Sequence, residues 1–366
     1  MRLFLLGATP SFDLARHVTA QERLAATGHN TGNQIIAHGL LKALDYNTVE
    51  WDYSKGAAYV EDNFDAIVIA AANFLFPGFD LGGMADFIAQ TSLPVVMVGL
   101  GAQAQSTQSN DMEIAAGTLR LMQLVSERSH SIGVRGEFTA RVLEQADIRN
   151  VEIVGCPSYY MAGGSGFALR SEDFSSDSPV AVHASRDVIG HSFSSGEMRT
   201  AVVRLYAEAA RRKGVFVAQT ELEEISISQG EDVLANAARL RAALHDLGAE
   251  PLPNGWLQQG MRAYWDVDAW IEDMRHYPFV VGTRFHGTMA ALHAGTPAVC
   301  VTHDSRTSEM CDFLNIPSVD IVRFNEKTLE EVRREMDVEA LGLRYNYLYP
   351  RYLNFLRANG MTVSTG

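Results

Sequence analysis

Residues 279–301 read FVVGTRFHGTMAALHAGTPAVCV, and the fold class is decided there. Phe279, Val280 and Val281 form a brief apolar run of the kind that fills a buried parallel strand. Gly282 and Thr283 break it. Met289, Leu292 and His293 then recur at helical spacing, with alanines between them. Gly295 sits where a helix ends on glycine, Pro297 follows, and residues 298–301 resume a strand. Arg284 and His286 therefore fall at the carboxyl end of a strand, just ahead of a helix. Open α/β sheets bind ligands in that crevice. The N–H groups of Gly287, Thr288 and Met289 are expected to face an anion there. If the loop is extended, Arg284 and His286 point to one side and Phe285 to the core. Arginine offers a planar fork for carboxylate or phosphate, and histidine exchanges a proton near neutral pH. A salt bridge and a turn cap would give the same spacing.

Working outward, strands alternate with helices on both sides of this unit. Upstream, residues 2–6, 48–52, 66–70, 94–99, 131–135 and 151–154 read as strands. Residues 34–44, 82–90, 112–127 and 137–145 read as helices between them. That alternation predicts a doubly wound parallel sheet. Residues 162–178, rich in Gly and Ser, read as a linker. A second series follows, with strands at 180–183 and 214–219 and helices at 197–213, 232–247 and 266–276. Past the opening stretch, residues 310–314, 319–322 and 327–337 continue the alternation. Residues 345–357 form an aromatic-rich helix able to pack back across both halves. The expected division is 1–165, 166–340 and a C-terminal helix in 341–366.

Composition narrows the function. The chain has 366 residues, 47% hydrophobic and 20% charged, a balance suited to a globular protein with a large core. No apolar run approaches the length of a membrane span. The opening MRLFLLGATP turns polar too soon for a signal peptide and reads as the first strand. Three cysteines without CxxC spacing suggest a reducing, cytoplasmic setting with no disulfide framework. Neither HxH nor HExxH occurs, so no metal site is expected. The net charge of −14 argues against nucleic acid as a partner. An anionic ligand would need a local cationic pocket.

Candidate site residues cluster at strand ends. Arg135 ends SIGVR, just before a helix, and reads either as a second cation facing the cleft or as a helix-flanking surface residue. Asn30 and Asn33 precede the helix at 34–44; Asn33 reads as its N-cap, or either residue holds a polar group of a substrate. Cys156 in GCPS lacks an obvious activating partner and reads as structural. His183 and Arg186 end the first strand of the second half. Asp304 and Glu309 follow the strand after the key helix, where an N-cap on a helix at 306–314 is the plain account of Asp304 or Ser305.

At these residues the sequence resembles the polysaccharide pyruvyltransferase family. GTRFHGTMAALHAGTPAVCVTHDSRTSEM is similar to its Arg-x-His-Gly segment, and SIGVRGEFTARVLEQADIRNVEIVGCPS to its Val-Arg-Asp and Gly-Cys-Pro-Ser segments. LPVVMVGLGAQ and HNTGNQ resemble weaker N-terminal features. The family's Asp after the arginine is Gly136 here. The resemblance implies two Rossmann-like domains facing a cleft, a glycosyltransferase-B-like α/β fold. It implies transfer of pyruvate from phosphoenolpyruvate onto sugar hydroxyls as a ketal, with phosphate released and no cofactor. Arg284 and Arg135 would hold the donor's phosphate and carboxylate, and His286 would be the catalytic acid or touch the leaving phosphate. Asn30, Asn33, Gly287, Thr288, Arg186, Asp304 and Glu309 are the further substrate-binding candidates. The acceptor would be a nucleotide-linked, lipid-linked or polymeric sugar, and both peripheral membrane association and homo-oligomerisation are compatible with it. The alternative is a glycosyltransferase of the same fold, with its nucleotide-sugar ribose near Asp304 and Glu309.

Overall fold

The computed structural model describes residues 1–103, 112–253 and 255–364. Six strands form the first sheet: β1 (Arg2–Gly7), β2 (Thr48–Glu50), β3 (Ala66–Ala70), β4 (Val95–Leu100), β5 (Ile132–Val134) and β6 (Val151–Ile153). They are ordered β2-β1-β3-β4-β5-β6, and every pairing is parallel. AIVIA of β3 and VVMVGL of β4 are buried at every residue. Helices cover both faces of such a sheet, so its central strands are apolar throughout rather than alternating.

The second sheet is built from β7 (Ala181–His183), β8 (Val215–Val217), β9 (Met261–Arg262), β10 (Val280–Gly282), β11 (Ala298–Thr302) and β12 (Ser318–Asp320). Its order, β12-β11-β10-β7-β8-β9, is again wholly parallel. This is the Rossmann strand order, and the direction of winding reverses between β7 and β10. The two α/β sheets give the glycosyltransferase-B-like architecture. Strand β9, two residues long, has no counterpart in the sequence reading: a pair of residues carries no period-2 signal.

Helix Val338–Ala358 ties the molecule together. The rings of Tyr160 and Tyr352 stack with centroids 4.0 Å apart, and the Tyr345 hydroxyl donates to the Gly163 carbonyl at 2.8 Å. Arg344 Nε donates to the Phe313 carbonyl at 2.6 Å, on the second sheet's side. Beyond the helix, Asn359 Oδ1 accepts the N–H groups of His130 and Ser131 beneath β5, and Val363 bridges to Leu44. Among the described residues no helix is long and apolar enough to cross a membrane.

Candidate functional site

The winding reversal of the second sheet places β7 beside β10, so His183 and Arg284 emerge next to each other. The helix after β10 spans Phe285–His293, and Arg284 is its extended N-cap residue. His286 thus lies in the first helical turn, not in the extended loop expected from the sequence. The N–H of Thr288 already bonds the Arg284 carbonyl at 3.3 Å, and the buried Thr288 hydroxyl approaches that same carbonyl. Thr288 is therefore engaged within the helix. Gly287 packs on the His183 ring, where a Cβ would come within 2.5 Å of His183 Cδ2. Glycine there lets the helix seat against β7.

A narrow cleft of about 90 Å³ opens at these strand ends. Asn30, Asn33, Arg135, Arg284 and His286 line it together, from both halves of the chain. Asn30 Oδ1 accepts the Gly32 N–H at 3.0 Å. Asn33 is the first helical residue of Asn33–Lys42 rather than its cap, and its Nδ2 donates to the Thr27 carbonyl. Thr31 N–H donates across to the Gln219 carbonyl at 3.0 Å, holding this loop on the second half.

Among the described residues, the cleft presents donors without a protein partner. Arg135 is 4% exposed; its Nε donates to the Gly99 carbonyl at 2.8 Å, while Nη2 has no protein partner. Arg284 reaches the Thr220 hydroxyl through one terminal nitrogen, and its Nε is unpaired. Gln219 Nε2 is likewise unpaired. Buried donors without partners are rare in native proteins, so several on one cleft make it the candidate place for an external acceptor. Burial lowers the pKa of both arginines, although each remains a cation at any ordinary pH. His286 feels burial first, then Arg135 and Arg284, and its pKa falls to about 3. The ring is therefore neutral at pH 7 in the empty cleft.

Three candidates are used elsewhere. Arg186 is engaged by Glu223 and Glu224, at 3.1 and 3.3 Å. Asp304 is the N-cap of helix Ser305–Leu314, accepting the Thr307 N–H at 2.9 Å, and it also binds Arg306. Burial opposes its ionisation, but Arg306, His303 and that N–H outweigh burial and keep its pKa low. Glu309 accepts the Thr139 N–H at 3.0 Å and the Thr139 hydroxyl at 3.1 Å. Helix Glu137–Gln145 starts after Gly136, which has no side chain to cap it. The second half thus caps a helix of the first. A Cβ on Gly136 would sit 2.1 Å from Glu309 Cγ, so residue 136 has to be small while Glu309 is present.

Other lining residues were missed in the sequence: Asn73, Gln219, His303 and Arg306. Gln219 and Asn73 each lie just past a strand's carboxyl end, which was a usable signal. Arg306 adds a third cation, bound to Asp304. Cys156, read as structural, lies with Sγ 3.6 Å from His286 Nε2. A larger hollow of about 1070 Å³ near Phe167, His293 and Tyr349 lies at the far end of helix Phe285–His293, away from these groups.

A family model described as polysaccharide pyruvyl transferase matches residues 30–305. No curated protein matches the chain. Among solved structures, Anabaena Alr3699/HepE in complex with UDP is similar at TM-score 0.46 and 11% identity, covering 98% of this chain and 97% of its own. A putative UDP-N-acetylglucosamine 2-epimerase from Listeria monocytogenes aligns at TM-score 0.45 and 12% identity, covering 98% and 95%. The S. aureus MnaA–UDP structure aligns at TM-score 0.43 and 13% identity, covering 98% and 93%.

Proposed function

We propose that this protein, which belongs to the polysaccharide pyruvyl transferase family and is a transferase, moves the pyruvate unit of phosphoenolpyruvate onto two hydroxyls of a sugar. The observation that supports phosphoenolpyruvate as donor is the meeting of unpaired Arg135 Nη2 and Arg284 Nε on the cleft that His286 lines. Two cations suit a ligand carrying both a phosphate and a carboxylate, and a buried setting strengthens each contact.

In the reaction, the methylene carbon of the donor gains a proton and C2 becomes electrophilic. One sugar hydroxyl adds to C2. A second hydroxyl displaces phosphate from the same carbon, closing the ketal, and the two hydroxyl protons balance those taken up by carbon and by phosphate. A neutral His286 is a poor acid at the start. Burial is the largest cause that holds its pKa down and persists with the donor bound, but an anionic donor offsets the other two, Arg135 and Arg284. Donor binding therefore raises the histidine's affinity for a proton just where one is required, and positioned acids of this kind contribute about 10²–10⁴-fold.

Nucleotide-sugar transfer is the other reading. It calls for acids free to hold ribose hydroxyls, and Asp304 and Glu309 are engaged as helix caps. The test is to mix purified protein with phosphoenolpyruvate and a panel of free, nucleotide-linked and lipid-linked sugars, following phosphate release and measuring donor binding by calorimetry. Acceptor-dependent phosphate release is the expected result. Absence of both phosphate release and donor binding, with a thermal shift from UDP-sugars instead, sinks the pyruvyl reading.

A further inference from the structure

Strand β6 is followed, after Val154, by Gly155-Cys156-Pro157-Ser158. Gly155 turns the chain at φ +76°, and Cys156 is held extended at φ −98°, ψ 135°, ahead of Pro157. The segment thereby delivers a thiol from the first half of the molecule to a histidine of the second. Cys156 is fully buried, with Sγ 3.6 Å from His286 Nε2. The buried Ser158 hydroxyl donates to the same sulfur at 3.1 Å.

Sulfur can accept from an Nε2–H or donate to a bare Nε2, and the contact with Ser158 favours the second. Sulfur accepts the hydroxyl proton of Ser158, so its own hydrogen is free to be donated. Nε2 of a neutral imidazole can accept it only if that nitrogen is bare, and the ring proton must then be on Nδ1. A positive ring is disfavoured by its burial first, and then by Arg135 and Arg284. We propose that Cys156 is a positioning residue for His286: its S–H, oriented by Ser158, donates to Nε2 and fixes the Nδ1–H tautomer of the ring in the ligand-free cleft. Nδ1–H is then the donor that the ring offers an incoming anion. Nε2 is the nitrogen that gains a proton when the ring charges, displacing the thiol hydrogen bond.

The proposal rests on His286 as the proton carrier of the reading above, yet it concerns the empty protein. Its failure is therefore distinguishable from failure to use phosphoenolpyruvate. The experiment is a long-range ¹H–¹⁵N correlation spectrum of the full chain, labelled with ¹⁵N-histidine and free of ligand at pH 7. The His286 ring is identified by its disappearance in His286→Gln. The expected result is an Nδ1–H tautomer in the wild type and in Cys156→Ser, whose hydroxyl also donates, and a mixed or Nε2–H ring in Cys156→Ala. Phosphoenolpyruvate affinity of Cys156→Ala, by calorimetry, stays within about threefold of wild type, whereas turnover falls about tenfold or more and Cys156→Ser recovers most of it. An Nε2–H ring in the wild type overturns the proposal, with no variant needing to fold. So does a ring whose tautomer is unchanged in Cys156→Ala.

Discussion

At the scale of single residues, the cleft separates holding from proton transfer. Arg284→Ala and Arg135→Ala each remove a charged donor, and hydrogen bonds to charged groups contribute about 1.5–3 kcal/mol. Calorimetry with phosphoenolpyruvate should therefore show about a ten- to hundredfold loss of affinity for either variant. His286→Ala should reduce turnover far more than donor affinity. Equal losses in both parameters for all three variants would contradict these roles. Protonation has a consequence for stability as well. Burial, as the leading cause, holds His183 and His286 to about 3 and His293 to about 4. An unfolded chain takes up these protons near the ordinary histidine value of about 6.5. Between those limits the unfolded state binds more protons, so stability is complete above the upper limit and is lost as pH falls towards the lower one. Each ring accounts for about 2 kcal/mol lost at pH 5. Urea midpoints should drop steadily from pH 7 to pH 5, and His286→Gln should make the drop shallower; a flat profile would contradict the buried neutral rings. Arg284 and His286 were legible in the sequence because a strand–helix junction orders its residues along the chain. Cys156 was not legible, because its partner lies 130 positions away.

Among elements, helices Asn33–Lys42, Gly82–Ala89, Glu137–Gln145, Ser195–Arg211 and Val233–Asp246 were readable to within a turn, since apolar spacing sets their existence, whereas the short helices Ala20–Ala26, Ala57–Asn63, Leu222–Gln229 and Trp256–Gly260 were not read and Val338–Ala358 starts two turns earlier than expected. Their first residues were less so, because capping is a tertiary event here. Helix Phe285–His293 begins at Phe285, which moves the free first-turn N–H groups upstream of Thr288. Helix Glu137–Gln145 depends on Glu309 for its cap. From sequence alone Gly136 looks like a lost carboxylate; in space the carboxylate is supplied from helix Ser305–Leu314. Losing an N-cap side chain costs about 1 kcal/mol, within a range of 0.5–2. Glu309→Ala should lower the unfolding free energy by about that amount. Because Arg135 immediately precedes this helix, the same variant should also weaken phosphoenolpyruvate binding. Gly136→Asp alone should destabilise by collision with Glu309. The double variant Gly136→Asp/Glu309→Ala should recover stability, and a strictly additive double mutant in urea unfolding would refute the exchange.

For the whole molecule, the sequence pattern carried the two parallel sheets, because their central strands, buried on both faces, leave continuous apolar runs. Of what holds the halves close, it carried only the aromatic C-terminal helix. That closeness rests on a few cross-connections: Thr31 to Gln219, Glu309 to Thr139, Cys156 beside His286, and the aromatic helix Val338–Ala358. Tyr352 is 1% exposed and stacked on Tyr160. Tyr352→Ala should cost about 3 kcal/mol, as large aromatic truncations in cores do. Calorimetric unfolding that shows no loss would mean the helix is only draped over the surface. The Gly136–Glu309 pair bears on the history of such a chain too. Starting from an ancestor with Asp at position 136, substitution to glycine has to come first, leaving the helix briefly uncapped. Only afterwards is there room for a glutamate at 309, since the opposite order drives two side chains into one volume. Reversion becomes blocked once the glutamate is in place. A descendant lineage keeping Glu309 then favours glycine at 136, an epistatic ratchet set by a Cβ that would lie 2.1 Å from Glu309 Cγ unless that side chain shifts.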